Sequence, residues 1–224
     1  MMSIGSPVLI SLQLAAITTF ILFVLGLPLA WWLANTRSPI KPAIEAVTAL
    51  PLVLPPTVIG FYLLILMNPG TPVGQFWVTL TGEALTFSFS GLVVASVIYS
   101  LPFMVQPLQA AFERVGTPLL EAGASLRAGP WDRFRHIVLP LSSRGFIAAG
   151  VLTFAHTIGE FGVVLMVGGN IPGRTRVVSI ALYDHVETLD YASAHILAAG
   201  LVVFSFLVLA LVFLLNRRFP VHAG

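Results

Sequence analysis

Long uncharged apolar runs dominate this sequence. A helix needs about 20 mostly apolar residues to cross the hydrocarbon core of a bilayer, which is about 30 Å thick. The runs are continuous and do not alternate with period two, so they favour helices over a membrane β-barrel. The sequence therefore predicts an all-α polytopic membrane protein with about five transmembrane helices, at about residues 8–34, 43–67, 88–112, 145–168 and 192–215.

The composition excludes the common soluble classes. Only 9% of the 224 residues are charged, against about 25% in an average soluble domain. A chain with so few charges cannot cover a water-facing surface or remain disordered. The absence of cysteine removes disulfides and thiolate metal sites. The first run is too long for a cleaved signal peptide, and no Lys or Arg precedes it. We expect one transmembrane domain over residues 1–224.

The basic residues predict the orientation of the chain. Loops rich in Lys and Arg stay in the cytoplasm. Nine of the eleven basic residues fall on one side of the predicted spans, and two fall on the other. We expect the amino terminus outside and the carboxyl terminus in the cytoplasm. The nine are Arg37, Lys41, Arg114, Arg127, Arg133, Arg135, Arg144, Arg217 and Arg218.

The second span contains closely spaced prolines. Pro51, Pro55 and Pro56 remove three backbone donors within six residues, so a straight helix is impossible there. Irregular backbone at membrane depth is tolerated where it lines a cavity or is covered by protein. These prolines and Thr57 are therefore candidates for the lining of a pore or gate. A simple kink is the alternative.

The fourth span carries polar residues at helical spacing. Thr153, His156, Thr157 and Glu160 would share one face of a continuous helix. An ionisable residue at membrane depth is a functional candidate, so these four join the candidate pore or gate. His156 and Glu160 are four residues apart, and mutual pairing is the favoured alternative. The sequence shows no catalytic constellation and no phosphate-binding loop, so an intramembrane enzyme is a weak third reading.

A turn rich in Gly and Pro follows the fourth span. We name residues 169–176 the outer loop. It can present backbone N–H groups and positive charge to an anion or to an external partner, or it can be an ordinary solvated turn. A short amphipathic helix is expected at about 178–187. The candidate docking residues are Asn170, Pro172, Gly173, Arg174 and Arg176.

Eight of the twenty charged residues lie between about 113 and 144, which we name the charged segment. A helix is expected over 119–128 and a second one from Trp131 to Val138, ended by Pro140. Gly129 and Pro130 should separate them. Trp131 and aromatic neighbours among charges suggest that a cytoplasmic partner docks here. A solvated loop is the alternative.

Part of the charged segment resembles the signature of ABC importer permeases. That signature reads Glu-Ala-Ala, three residues, Gly, nine residues, Ile, any residue, Leu-Pro. The spacing matches throughout, but Gly replaces the second Ala and Arg127 replaces the Gly, so we expect the turn to rely on Gly129. The matching coupling residues are Glu121, Ala122, Gly123, Arg127, Gly129, Ile137, Leu139 and Pro140.

The resemblance implies a type I ABC importer permease of a prokaryotic inner membrane. It implies a second copy of the chain, a cytoplasmic ATPase dimer that holds ATP and magnesium, and an extracytoplasmic oxyanion-binding protein. The chain itself would bind no cofactor, metal or nucleic acid, and lipid would surround it. Within the family the likeness is greatest to molybdate permeases, on residues 50–56, 159–162 and 170–176. Sulfate and tungstate permeases are similar in parts.

A different class stays open from the residues alone. An ATP-independent channel or a proton-coupled carrier could use His156 and Glu160 as a proton relay. That reading leaves the charged segment without a purpose. If the cargo is a dianion, Glu160 would repel it, so a gating or packing role suits this residue better than a ligand role.

Overall fold

The structure, a computed structural model, describes residues 5–218. Within that range the chain is almost entirely helical and has no strand, as the apolar runs predict. Residues 1–4 and 219–224 of the predicted domain lie outside the described range, as do the side chains of Arg217 and Arg218 that were used to orient the chain. The elements are α1 (Gly5–Asn35), α2 (Lys41–Val53), α3 (Pro56–Leu66), α4 (Pro72–Thr81), α5 (Phe89–Val115), α6 (Thr117–Ser125), α7 (Pro130–Arg133), a π-helical turn (Phe134–Val138), α8 (Leu139–Leu141), α9 (Ser143–Gly159), α10 (Gly162–Gly168), α11 (Val178–Glu187) and α12 (Tyr191–Arg218).

Three helices are long and apolar enough to cross a membrane without interruption, namely α1, α5 and α12. Two further candidate spans are bent pairs of helices. The axes of α2 and α3 meet at 111°, and α9 is bent by 70° from the helical stretch 130–141 that precedes it. Counting each bent pair once gives up to five spans, the number that the sequence predicts. The second pair covers 130–159, however, whereas the predicted fourth span, 145–168, corresponds to α9 and α10.

The bundle is built around α1, α5 and α9, which pack closely because small residues lie at their crossings. A Cβ atom on Gly26 of α1 would lie 2.9 Å from Met104 Cγ of α5. A Cβ atom on Gly145 of α9 would lie only 2.2 Å from Ala111 Cβ of α5. Large apolar side chains fill the space between these contacts. The core between the three helices includes Leu22, Leu33, Met104, Leu108, Phe112 and Val138.

The proline-rich part of the second span breaks the helix as predicted. Leu54 takes an extended conformation with ψ of 138°, and α3 restarts with Pro56 in its first turn, where a proline needs no donor. The second half, α3, then packs against α10 through glycines. A Cβ on Gly60 would lie 2.7 Å from Met166 Cβ, and one on Gly162 would lie 2.7 Å from Pro56 Cβ.

The fourth span is also broken, which the sequence reading did not anticipate. The helix α9 ends at Gly159, Glu160 is extended with ψ of 132°, and α10 begins at Gly162. The Ser179 hydroxyl donates to the freed carbonyl of Glu160. Glu160 is therefore not on the face of a continuous helix with Thr153 and His156. The amphipathic helix expected at 178–187 is confirmed as α11.

The charged segment forms two short helical stretches, as expected, but two details of the prediction are wrong. The left-handed residue that ends α6 is Arg127, with φ of 60°, at the position where the signature has Gly. Gly129 has φ of −66° and ψ of 164°, a conformation open to any residue, so the turn does not rely on it. Pro140 does not end the second stretch, because a π-helical turn precedes it and helical backbone continues to Leu141.

Candidate functional site

A cavity of about 550 Å³ lies where the two broken spans face each other. The start of α3 and the α9–α10 break form two of its sides, and α5 contributes Tyr99. Of the described residues that line it, none is Lys or Arg. The nine lining residues are Pro56, Thr57, Tyr99, Ala155, His156, Gly159, Glu160, Phe161 and Gly162.

Glu160 lies at this cavity, but its carboxyl group is held inside the protein. The residue is only 4% exposed. The Ser96 hydroxyl of α5 donates to Glu160 Oε2 at 2.9 Å, whereas Oε1 is buried with no hydrogen-bond partner among the described residues. Glu160 thus joins the α9–α10 break to α5 through its side chain and to α11 through its carbonyl. This arrangement suits a residue that holds elements together.

His156 is the second ionisable residue at the cavity. Its Nδ1 lies 3.0 Å from Ser100 Oγ of α5. The imidazole stacks on the Phe103 ring, with a centroid distance of 3.8 Å, and lies 5.1 Å from the Tyr99 ring. The pairing of His156 with Glu160 that the sequence favoured is wrong, because each side chain takes a different serine of α5 as its partner.

The structure separates the predicted pore or gate residues into two groups. Pro56, Thr57, His156 and Glu160 line the cavity. Pro51, Thr153 and Thr157 are buried in the helix packing, and Pro55 precedes α3 as its cap. Thr157 nevertheless contributes indirectly, because its hydroxyl lies 3.1 Å from Ser100 Oγ.

Sequence reasoning missed the polar residues of α5. Ser96 and Ser100 are fully buried, and they are the partners of Glu160 and His156. Their spacing of four residues, with Tyr99 between them, places all three on adjoining faces of one helix. Two serines four residues apart in an apolar span are the sequence pattern that could have indicated polar contacts with a neighbouring helix.

The outer loop is folded against α11, and both of its arginines are paired. The backbone N–H groups of Arg174, Thr175 and Arg176 all donate to the Ile171 carbonyl at 3.0–3.2 Å. Arg174 pairs with Glu83 at 3.8 Å, with both side chains exposed. Arg176 is 9% exposed, donates to Asn170 Oδ1 and lies 3.4 Å from Asp184 Oδ2.

The contacts of Asn170 and Arg176 fix the outer loop in place. Asn170 also donates to Asp184 Oδ1 at 3.0 Å, so Asn170, Arg176 and Asp184 form one polar cluster that fixes the loop on α11. Arg176 therefore serves the shape of the loop. Pro172 and Gly173 lie at its exposed tip, where Gly173 takes φ of 73°.

The charged segment presents an exposed, mixed surface. Glu121, Arg127 and Arg135 are exposed, and Trp131 is 72% exposed while it stacks on Phe134. Between the segment and α1 runs an apolar groove of about 490 Å³. It is lined by Leu27, Pro28, Trp31, Leu120, Pro130, Trp131, Arg133, Phe134 and Val138.

The substitution of Ala by Gly at position 123 has a structural reason. A Cβ there would lie 2.9 Å from Ile137 Cδ1 and 3.1 Å from Arg133 Cγ. The Arg133 stem crosses α6 at this point, and its Nη1 donates to the Leu120 carbonyl at 3.1 Å. The Ile137 of the signature therefore packs directly against Gly123, which joins the two helical stretches.

A polar cluster near the charged segment ties α2 to α5. Lys41 Nζ lies 3.6 Å from a carboxyl oxygen of Glu45 and of Glu113. Gln109 donates to the same two carboxylates, at 2.7 and 3.0 Å. The cluster fixes the start of the bent span to the end of α5, next to the charged segment.

Comparison with known proteins gives a consistent family. The model for the "binding-protein-dependent transport system inner membrane component" family matches residues 26–220. The chain is 60% identical over 210 residues to the molybdenum transport system permease protein ModB of Azotobacter vinelandii, covering 94% of this chain and 92% of that protein. It is 33% identical over 196 residues to the sulfate transport system permease protein CysT of Escherichia coli (strain K12), covering 88% and 70%.

The fold also matches a solved structure. A chain of the MetNI methionine ABC transporter, in an inward-facing conformation, superposes with a TM-score of 0.73 over 95% of this chain and 94% of that chain. The sequence identity is 18%, so this likeness bears on the fold alone.

Proposed function

The chain belongs to the family of binding-protein-dependent transport system inner membrane components, and on that premise we propose that it is the permease subunit of an ATP-driven importer. Its cargo is molybdate or a related tetrahedral oxyanion, which enters the cytoplasm by alternating access. The observation that carries the proposal is the 60% identity to a molybdenum transport permease over nearly the whole chain. The chain is a transport subunit, and ATP hydrolysis takes place in a separate ATPase.

The cavity between the broken spans is the proposed path. Its volume of about 550 Å³ far exceeds that of one water, whose share of liquid volume is about 30 Å³. A tetrahedral oxyanion therefore fits with part of its hydration shell. Half-helices that meet at a cavity are a recurring way to expose backbone polar groups to an ion at membrane depth. Thr57, at the start of α3, offers both a hydroxyl and a backbone donor there.

The charged segment is the proposed contact with a cytoplasmic ATPase dimer, where ATP and magnesium bind. Gly123, Arg133 and Ile137 join its two helical stretches, and the second stretch leads directly into α9. A push on the segment is therefore transmitted to the α9 helix that ends at the cavity. Such coupling requires two states that the ATPase favours differently. Glu121, exposed on α6, is the proposed first contact.

The remaining partners follow from the orientation. With nine of eleven basic residues on one side, the amino terminus lies outside and the carboxyl terminus in the cytoplasm of a prokaryotic inner membrane. The outer loop, fixed on α11, is then part of the surface where an extracytoplasmic oxyanion-binding protein docks. A second copy of the chain closes the path, because the cavity is open and five spans enclose little space.

Sulfate is the second candidate cargo. The 33% identity to a sulfate transport permease favours it over unrelated anions, and tungstate shares the size and charge of molybdate. Competition of labelled molybdate uptake by unlabelled sulfate and tungstate ranks the three. We expect tungstate to compete and sulfate to compete weakly.

Reconstitution tests the proposed function. The permease, its ATPase and its binding protein are placed in liposomes, and uptake of labelled molybdate is measured with and without ATP inside. We expect uptake only with ATP and magnesium. Glu121→Ala should abolish ATP-driven uptake while insertion is unchanged, and exposed Glu187→Ala on α11 is the matched control. Uptake driven by a proton gradient without ATP would overturn the proposal in favour of a carrier.

A further inference from the structure

A directed chain of hydrogen bonds starts at His156 and runs into the protein. His156 Nδ1 lies 3.0 Å from Ser100 Oγ, and Ser100 Oγ lies 3.1 Å from Thr157 Oγ1. Thr157 Oγ1 donates to the Thr153 carbonyl at 2.9 Å. The carbonyl can only accept, so the direction of the last bond is fixed.

The fixed last bond determines the others. Because the Thr157 proton points to the Thr153 carbonyl, Ser100 must supply the proton between the two hydroxyls. Ser100 then accepts from His156, whose proton lies on Nδ1. This is the arrangement in which every bond of the chain carries one proton. Nε2 is the ring nitrogen that remains, and it makes no hydrogen bond to another described residue.

The imidazole is partly buried, which disfavours its charged form in the empty cavity, but its aromatic contacts can stabilise a cation once an anion lies beside it. The face of Phe103 stacks on the ring and Tyr99 lies beside it, and aromatic faces attract cations. Tyr99 and Glu160 are the other titratable groups at the cavity, and Ser96 holds the Glu160 carboxyl inside the protein. Among the described lining residues, His156 is therefore the one that can present a positive charge to the cavity.

An oxyanion with two negative charges needs such a group. Moving a bare dianion into a site of low dielectric constant is costly unless a cation or several donors compensate it. In its Nδ1–H form, His156 offers a lone pair at Nε2, which repels the anion. A second proton on Nε2 converts the same atom into a charged donor.

We propose that His156 Nε2 is the contact of the cavity with the transported oxyanion, and that each dianion binds together with one proton taken up at Nε2. This inference rests on the proposed function and deepens it. The proton comes from water and returns to water when the anion leaves, so the bound pair carries a net charge of −1 and the imidazole is regenerated. Ser100 is a positioning residue, since it fixes the first proton on Nδ1.

Proton counting tests the proposal. The complex of permease and ATPase, purified in detergent without binding protein, is titrated with sodium molybdate in a calorimeter. The titration is repeated at one pH in two buffers with different ionisation enthalpies. We expect one proton to be taken up per anion bound. In His156→Gln the proton uptake should disappear and the affinity should fall at least tenfold.

Matched variants separate this role from a structural one. His195→Gln makes the same change at an exposed histidine of α12 and should keep the wild-type proton count and affinity. Ser100→Ala should lower the affinity and change its pH profile, and Ser100→Thr, which keeps the hydroxyl, should restore both. Assembly of each variant is checked by size-exclusion chromatography.

The proposal is overturned if the wild-type complex binds molybdate without proton uptake, if it binds no molybdate, or if His156→Gln leaves both values unchanged. Each of these outcomes can occur while ATP-driven molybdate uptake stays intact. ATP-driven uptake by the wild type, measured in liposomes, tests the proposed function separately. Loss of that uptake with intact proton-linked binding would instead contradict the proposed function.

Discussion

The two ends of α9 use polar residues in opposite ways. At the cavity, Glu160 is held by Ser96 and His156 by Ser100, both of which are buried serines of α5. At the charged segment, the charges are mostly exposed, and the shape is set by close packing around Gly123. The comparison teaches that the cavity depends on hydrogen bonds and tight helix crossings, whereas the segment keeps most of its charges at the surface, where a partner can reach them.

The largest effect is expected at the crossing of α3 and α10. In Gly162→Ala the new Cβ would lie 2.7 Å from Pro56 Cβ, so the two half-helices must move apart. We expect a loss of up to about 3 kcal/mol in the free energy of unfolding. Gly159→Ala is the matched control, because a Cβ there meets nothing within 4 Å. Thermal unfolding in detergent that is equal for both variants would contradict the close crossing.

The next effect is expected at the Ser96–Glu160 bond. Ser96→Ala removes the partner of a buried carboxyl group, which costs about 1–3 kcal/mol. Replacing both residues, as Ser96→Ala with Glu160→Leu, removes the unsatisfied group as well. We therefore expect the double variant to be more stable than Ser96→Ala alone. Additive losses in this double-mutant cycle would show that the bond does not hold the break to α5.

A smaller effect is expected in the charged segment. In Gly123→Ala, which restores the residue of the family signature, the Cβ meets the end of Ile137 and the stem of Arg133. These side chains can shift, so we expect a loss of about 1 kcal/mol and weaker ATPase assembly. Gly129→Ala is the control, since its φ is ordinary and a Cβ meets nothing within 4 Å. A gain in stability for Gly123→Ala would refute the packing argument.

The smallest effect is expected at Arg127. A residue other than Gly in the left-handed region costs about 1–2 kcal/mol, and Gly loses about 0.5–1 kcal/mol more backbone entropy. Arg127→Gly should therefore stabilise the chain by about 0.5 kcal/mol, as measured by chemical unfolding. Arg127→Ala keeps the strain and should give no gain. A gain in both variants would point to the charge and not to the backbone.

The positions of the spans could be predicted well because each span is recognised from the composition of its own stretch of sequence. The five apolar stretches, the break at Pro55 and the helix at 178–187 all follow from local residues. The partners of His156 and Glu160 were missed: the two serines of α5 were visible in the sequence, but their pairing depends on how α5 rotates against α9. The break at Glu160 was missed for a similar reason, since the carbonyl it frees is satisfied by Ser179 of a distant helix.

The turn in the charged segment shows a different limit. The spacing of the signature gave the correct position of the turn. Because Arg stands at position 127 in place of the signature Gly, however, the sequence predicted that the turn would rely on Gly129. Backbone geometry followed the position and not the residue type, because the α6 carbonyls of Gly123 and Ala124 accept from Ala128 and Arg127. Those hydrogen bonds compensate for the left-handed conformation of Arg127.

Alternating access at the cavity is the central claim, and site-directed labelling tests it most directly. The chain has no cysteine, so Thr57→Cys supplies one thiol at the cavity, and Val24→Cys, on the exposed face of α1, is the lipid-facing control. A membrane-impermeant thiol reagent is applied from either side of liposomes that contain the complete transporter, with and without ATP and vanadate. We expect Thr57→Cys to react from one side in the resting state and from the other in the trapped state. Reaction from the same side in both states would contradict the account.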